Sequence, residues 1–348
     1  MNILVIRFSS MGDVILVTSL FSYLEKEYPG SKVYFLTDSR YAELFRDDNR
    51  IFKVAGREKK SVNNDFLSLL PDKFDRIIDL QNNSLSSGIL KLFAPCEQTG
   101  RFEKRHFRRL LLLLARINMY KASDGVALRY VNAAKTGQKA DGILPPQPQM
   151  ILNAKKGEML FRPLFYNDMI RPVIALIPFS AWKNKEWCRQ YYKTVGCYFH
   201  AKGWNIAVLG GPDDEDAAVE LQKDIGEHCI ALAGRISLYE TACILTHCTL
   251  ALGNDTGLSH LARACGVKTG IIFGSTTHHF GFFPFGKPAY RIFQAKMLCR
   301  PCHPHGGNIC MLGCRPCLKR IKPENVIKAL DELYDDVSGD YGNDGIMT

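Results

Sequence analysis

The sequence predicts two α/β domains, each built on a parallel sheet, and three observations carry that prediction. Short apolar runs alternate with segments of helical length. The runs are continuous rather than alternating, as in strands covered on both faces. At 348 residues the chain is too long for one small core and suits two domains.

The elements follow in order. Residues 3–8 (ILVIRF) read as a first buried strand, and Met11-Gly12-Asp13 turns into a helix over residues 13–27 that stops at Pro29-Gly30. Residues 33–37 (VYFLT) and 75–80 (DRIIDL) are further strands, the latter ending in Gln81-Asn82-Asn83. Leu144-Pro145-Pro146-Gln147-Pro148 opens an irregular stretch that marks a linker, which divides the chain at residues 1–150, 151–170 and 171–330. Beyond it the pattern repeats. Strands are expected at 172–179, 205–211, 230–233, 250–253 and 269–274, with helices at 187–202, 213–225, 238–246 and from Thr256. Residues 331–348 form an acidic tail.

Composition narrows the function. A hydrophobic fraction of 46% and a charged fraction of 23% suit a soluble globular protein. No apolar run approaches the roughly eighteen residues that span a bilayer. Arg7 and Asp13 interrupt the N-terminal apolar stretch, which argues against a signal peptide and for a cytoplasmic location with reduced cysteines. The net charge of +10 is concentrated at residues 101–140, which hold ten Lys/Arg against Glu103 and Asp124. Such a stretch is either a solvated helix face or a surface for an anionic partner. RFEKRHFRRLLLLLARI at 101–117 fits a helix on an anionic membrane surface or a core helix with outward arginines.

Ligands of parallel α/β sheets bind beyond the carboxyl ends of strands, and three post-strand segments carry the chemistry. In LALGNDTGLSHLARACG (250–266), Asp255, Thr256 and Gly257 open a helix whose free N–H groups suit an anion, with His260 on the same face. The plainer alternative is an N-cap aspartate and a satisfied helix histidine. In PFSAWKNKEW (178–187), Ser180, Lys183 and Lys185 supply a hydroxyl and cations suited to a diphosphate, or are surface residues. In RFSSMGDVILVTSL (7–20), Ser9, Ser10 and Gly12 form a tight loop, and Asp13 is either a helix-dipole partner or a base. The glycine spacing matches neither a dinucleotide fingerprint nor a P-loop.

Together these segments resemble glycosyltransferase family 9, the lipopolysaccharide heptosyltransferases. The likeness runs through SSMGDVI, the Lys185-Glu186-Trp187 loop, LGGPDDE at 209–215, NDTGLSHLA at 254–262, FGST at 273–276 and a Cys-rich end followed by a helix after Ile321-Lys322-Pro323. The resemblance implies a GT-B architecture: two Rossmann-like domains with parallel sheets facing a central cleft, acceptor on the first and nucleotide-sugar on the second. It implies inverting, metal-independent transfer of heptose or a related sugar from a nucleotide-sugar, by default ADP-heptose, to a lipopolysaccharide core or similar glycolipid, with no cofactor required for catalysis. Asp13 is then the catalytic base, and Ser180, Lys185, Asp213, Asp255, Thr256, Gly257 and His260 bind the donor. Gly12, Gln81, Asn82, Arg101 and Arg105 are candidates for the anionic glycolipid acceptor. The implied setting is peripheral, on the cytoplasmic face of the membrane, with no nucleic-acid partner. Phe179, Cys188 and Thr277-His278-His279 depart from the family pattern, which has glycine, proline and an acidic-proline turn there.

Cys299, Cys302, Cys310, Cys314 and Cys317 form a cluster with His303 and His305 between them. Its CxxC spacings suit structural zinc; an iron–sulfur cluster, a labile disulfide and a reduced loop are the alternatives. Two competing functions are a nucleotide-sugar-binding protein and a basic nucleic-acid-binding protein, each without transfer. No nucleic-acid-binding motif supports the second.

Overall fold

The computed structural model describes residues 1–58, 65–93, 95–96, 98–121, 124–135, 145–165, 171–282, 285–336 and 346–347. The chain forms two compact units, residues 1–106 with 120–152 and residues 107–119 with 153–348.

The first unit holds five parallel strands: β1 (Asn2–Ile6), β2 (Lys32–Asp38), β3 (Lys53–Arg57), β4 (Arg76–Asp79) and β5 (Gln98–Arg101). Their order is β3-β2-β1-β4-β5. Ile3 to Ile6 are fully buried, as the continuous apolar run requires of a central strand. Strand order reverses between β1 and β4, so their carboxyl ends part there and leave a crevice.

The second unit holds β6 (Val173–Ile177), β7 (Asn205–Val208), β8 (Cys229–Ala231), β9 (Leu250–Asn254), β10 (Lys268–Ile272), β11 (Tyr290–Phe293) and β12 (Ile346–Met347). All pair in parallel, in the order β12-β11-β10-β9-β6-β7-β8. The reversal falls between β6 and β9. Trp187 anchors the core beneath it: the indole is buried against Tyr191 and Tyr192 and donates to Ile321 O at 3.0 Å. Truncating such a side chain costs about 3–5 kcal/mol.

Three expectations about organisation are corrected. Residues 151–170 are not an irregular linker where described: Ala154–Phe165 is a helix. Gly157, Phe161 and Phe165 recur every four residues and make one buried face, with Phe161 against His247. Residues 166–170 lie outside the described residues. The first unit is not residues 1–150 throughout, because residues 107–119 pack with the second. The acidic tail begins inside the helix Pro323–Asp335, whose Leu333 is buried, and Ile346–Met347 adds an edge strand to β11. Residues 337–345 and 348 lie outside the described residues.

Candidate functional site

In each unit the central candidate, Asp13 in the first and Asp255 in the second, follows a strand at the strand-order reversal. In the first, Asp13 lies in the short helix Met11–Leu16 that follows β1, behind the buried Gly12. The Ser10 N–H and hydroxyl donate to Asp13 Oδ2 at 3.1 and 2.8 Å. Arg7 Nη2 pairs with Oδ1 at 2.8 Å, and the Tyr130 hydroxyl donates to the same oxygen at 3.0 Å. Asp13 is only 8% exposed. Burial alone would push its carboxyl up. Arg7, Ser10 and Tyr130 more than offset that, and the group sits below its ordinary value. The same burial, beside Asp13, holds the Tyr130 phenol well above its ordinary value.

Gln81, Asn82 and Arg105 have structural partners. Gln81 Oε1 accepts from the N–H groups of Phe8 at 3.0 Å and Ser9 at 3.4 Å, so it holds the loop that precedes Asp13. Asn82 takes a positive φ of 45°, and its amide donates to Phe102 O at 2.9 Å. The buried Asp79 organises this turn, accepting from the N–H groups of both Gln81 and Asn82 and from the Ser86 hydroxyl. Arg105 pairs with Glu103 at 3.3 Å and Asp124 at 3.5 Å, while Arg101 is exposed at the end of β5.

In the second unit, the loops after β6 and β9 are stapled by one side chain. Asn254 Nδ2 donates to Pro178 O at 2.8 Å, and its Oδ1 accepts the Trp187 N–H at 3.0 Å. A Cβ at Gly253 would collide with Ser259 Oγ and Ile177, so only glycine lets the helix Gly257–Ala264 start this close to β6. Lys185 Nζ reaches Asp255 Oδ2 at 2.7 Å and Asp255 O at 2.9 Å. The Thr276 hydroxyl donates to Asp255 Oδ2 at 2.7 Å, and His260 Nε2 lies 3.9 Å from Oδ1. Burial pushes the Asp255 carboxyl up, but Lys185, His260 and Thr276 bring it below its ordinary value.

Thr256 precedes the helix and does not cap it with its side chain. Its hydroxyl is buried and has no partner among the described residues. A buried unpaired hydroxyl is costly. Here it stands beside the N–H groups of a helix start, which have no acceptor within the helix. A hydroxyl, backbone donors and a nearby ammonium make a site for an anion.

The structure therefore brings Lys185, Asp255, Thr256, Gly257 and His260 together. Ser180 follows β6 in the same loop system, and its Oγ accepts the Trp182 N–H at 3.2 Å. Asp213 is exposed on the turn after β7; its neighbour Asp214 is the residue that folds back, onto the Gly211 N–H at 2.8 Å. Sequence reasoning missed Arg7, Tyr130, Asn254 and Thr276 as partners. Arg7 carried a usable signal: a charge at the end of a buried strand needs a counter-charge, and Asp13 is the nearest acid. Tyr130 carried none, since it is far from Asp13 in sequence.

The zinc expectation is corrected. Among the described residues, no group of three or more His, Cys, Asp or Glu is placed to hold a metal ion. All twelve cysteines are free thiols. Cys302 and Cys314 are exposed and Cys317 is buried, so the five thiols sit in unlike surroundings. Arg300 stands near Cys299, Cys302 and Cys317, and its guanidinium donates to Gly274 O and Ala295 O at 2.5 Å and to Thr276 O at 2.9 Å. The loop is organised by that arginine.

Comparison with known proteins agrees with this arrangement. Residues 66–306 match the model of glycosyltransferase family 9 (heptosyltransferase). Lipooligosaccharide heptosyltransferase 2 of Haemophilus influenzae is 26% identical over 294 residues, covering 80% of this chain and 84% of that one. Among solved structures, E. coli ADP-heptose lps heptosyltransferase II superposes with a TM-score of 0.74 at 21% identity, covering 96% of this chain and 98% of that one. A glycosyl transferase family 9 protein from Veillonella parvula gives 0.76 at 19%, covering 96% and 97%. A family match over more than half of the sequence, on a fold of two parallel-sheet α/β units, makes this chain a member of glycosyltransferase family 9.

Proposed function

We propose that the protein transfers heptose, with inversion, from ADP-heptose to the core of a lipopolysaccharide-type acceptor at the cytoplasmic face of a membrane. The observation that carries this reading is the buried, unpartnered Thr256 hydroxyl at the start of the helix Gly257–Ala264, beside Lys185. The family membership and the names of the relatives support the sugar and the acceptor class.

In this reading the acceptor hydroxyl attacks the anomeric carbon while the bond to the diphosphate oxygen breaks. The hydroxyl proton passes to Asp13. The electron pair leaves with the diphosphate, where the helix N–H groups, Thr256 and Lys185 stabilise the charge. An ammonium has three donors. Lys185 spends donors on the carboxylate and the carbonyl of Asp255, which leaves one for a diphosphate bound at the helix start. Asp255 is thus a positioning residue, since a bare carboxylate would repel a diphosphate. Asp13 has both oxygens engaged, so the acceptor hydroxyl displaces the hydroxyl of Ser10 or Tyr130 to reach it. Ser180 and Asp213 are assigned to the donor, and Gly12, Gln81, Asn82, Arg101 and Arg105 to shaping the acceptor side. No cofactor enters this scheme.

The test is calorimetry with ADP-heptose, ADP-glucose, UDP-glucose and GDP-mannose, followed by transfer assays. The reading expects ADP-heptose to bind and turn over. Binding of a UDP- or GDP-sugar in preference would overturn the donor assignment.

A further inference from the structure

We infer that the second unit docks on an anionic lipid bilayer through one apolar and basic surface, formed by residues 107–119 and the loop 298–312. This rests on the proposed function only in that a lipid-linked acceptor gives the docking a purpose; the surface is argued from its own residues.

The helix His106–Leu114 buries only Leu112. Phe107, Leu110 and Leu114 recur at the spacing of one helix face, and all are exposed, Leu114 at 76%. An exposed apolar stripe of this kind needs a cover. On the 298–312 loop, Leu298 is 97% exposed and Met311 95%, with Ile309 between them nearly as open. These two regions form one body. Arg116, just past the helix, donates to the backbone of that loop: Nε to Leu298 O at 3.1 Å, Nη2 to Cys299 O at 3.2 Å and Nη1 to Pro301 O at 2.6 Å.

Charge decides the occupant. Residues 107–119 contain Arg108, Arg109 and Arg116 and no acid. Flanking the loop, Lys296, Lys319, Arg320 and Lys322 are exposed, and residues 294–323 contain no acid either. A surface of this sign matches anionic headgroups, and it opposes a second copy of itself, because a two-fold contact would set like charge on like. Apolar side chains that protrude singly from a loop and a short helix suit the boundary between headgroups and acyl chains. At nine residues the helix lies on a bilayer and does not cross it. No helix among the described residues is long and apolar enough to cross.

The experiment is co-sedimentation of the full chain with vesicles of phosphatidylcholine alone and of phosphatidylcholine with phosphatidylglycerol, in the absence of donor and acceptor. Wild-type protein is expected to bind the anionic vesicles at least about tenfold better than the neutral ones. The variant Leu114→Asp/Met311→Asp is expected to lose most of that binding, and Leu298→Ser alone to lose part of it. ADP affinity and the thermal midpoint, measured alongside, are expected to match wild type in both variants. Equal vesicle binding by wild type and variants overturns the inference, as does wild-type indifference to phosphatidylglycerol. So does a wild-type dimer in light scattering that Leu114→Asp converts to monomer, which would make a second copy the occupant. Failure of ADP-heptose to bind, with vesicle binding intact, would instead count against the donor reading alone.

Discussion

Asp13 and Asp255 are a matched pair set in different surroundings. Each stands just past a strand at the point where its sheet reverses order, each is nearly buried, and each carboxylate meets a cation, Arg7 at 2.8 Å or Lys185 at 2.7 Å. The difference lies in where the cation comes from and what else it does. Arg7 belongs to the same strand-loop segment as Asp13, and its Nη1 is tied to Leu80 O at 2.5 Å. It is a fixed charge, committed to holding one aspartate ionised. Lys185 comes from another loop and retains a donor beyond those spent on Asp255. The first arrangement suits a group that must stay a carboxylate, the second a cation that must be aimed. On the proposed reading, one ion-pair chemistry serves a base in one unit and a phosphate ligand in the other.

The largest test of this contrast is Asp13→Asn. Transfer is expected to fall by roughly 10²–10⁴-fold, while donor affinity by calorimetry stays at the wild-type value. Loss of donor binding in that variant would erase the division of labour. Next is Lys185→Met, which leaves the Asp255 carboxylate buried without its cation. Urea unfolding should show a loss of about 3–5 kcal/mol. Adding Asp255→Asn should restore most of the stability without restoring donor affinity, since only the lysine is assigned to the phosphates. If the double variant recovers donor binding, Lys185 is structural.

Arg7→Met probes the fixed charge through pH. In the wild type Asp13 titrates below the ordinary aspartate value of about 3.9, so it is ionised throughout the neutral range. Its stabilising contribution is complete above that ordinary value and is lost as pH falls through the folded one. Without Arg7, burial is less opposed. The acid limb of the transfer rate should move to higher pH, with little change on the alkaline plateau. An unmoved acid limb would mean that Arg7 acts only in packing. The smallest expected effect is Thr256→Val. It removes a hydrogen bond to a charged diphosphate, worth about 1.5–3 kcal/mol, or roughly ten- to a hundredfold in affinity. The unliganded protein should keep or slightly raise its thermal midpoint, because the hydroxyl it loses is buried without a partner among the described residues.

The two sites were unequally legible in the sequence. Strands such as β1, β6 and β9 announce themselves because burial on both faces demands unbroken apolar runs, and the polar residues that end them mark the site. Asp13, Lys185 and Asp255 could be located on that basis. β3 (KVAGR) and β5 (QTGR) could not, since as edge strands of the first sheet they bury little and are polar. The partners of Asp13 were equally hidden. Tyr130 lies 117 residues from Asp13 and meets it only through the fold. The cysteines show the opposite failure, a spacing that suits metal although no group of three or more ligands is placed to hold one among the described residues, because ligand spacing constrains the backbone and not the side chains.

Residues 107–119 have a consequence for how the protein can be divided. They lie in the sequence between two stretches of the first unit, yet Arg116 spends its guanidinium on carbonyls near residue 300. A cut at residue 152 would therefore produce two fragments that are each incomplete. One would carry a helix without its seat, and the other would expose the Leu298–Pro301 carbonyls that Arg116 had satisfied. Swapping first units between relatives at that junction would carry the mismatch along. A chimera that exchanges residues 1–106 and 120–152, and keeps the native 107–119, respects the boundary the fold draws.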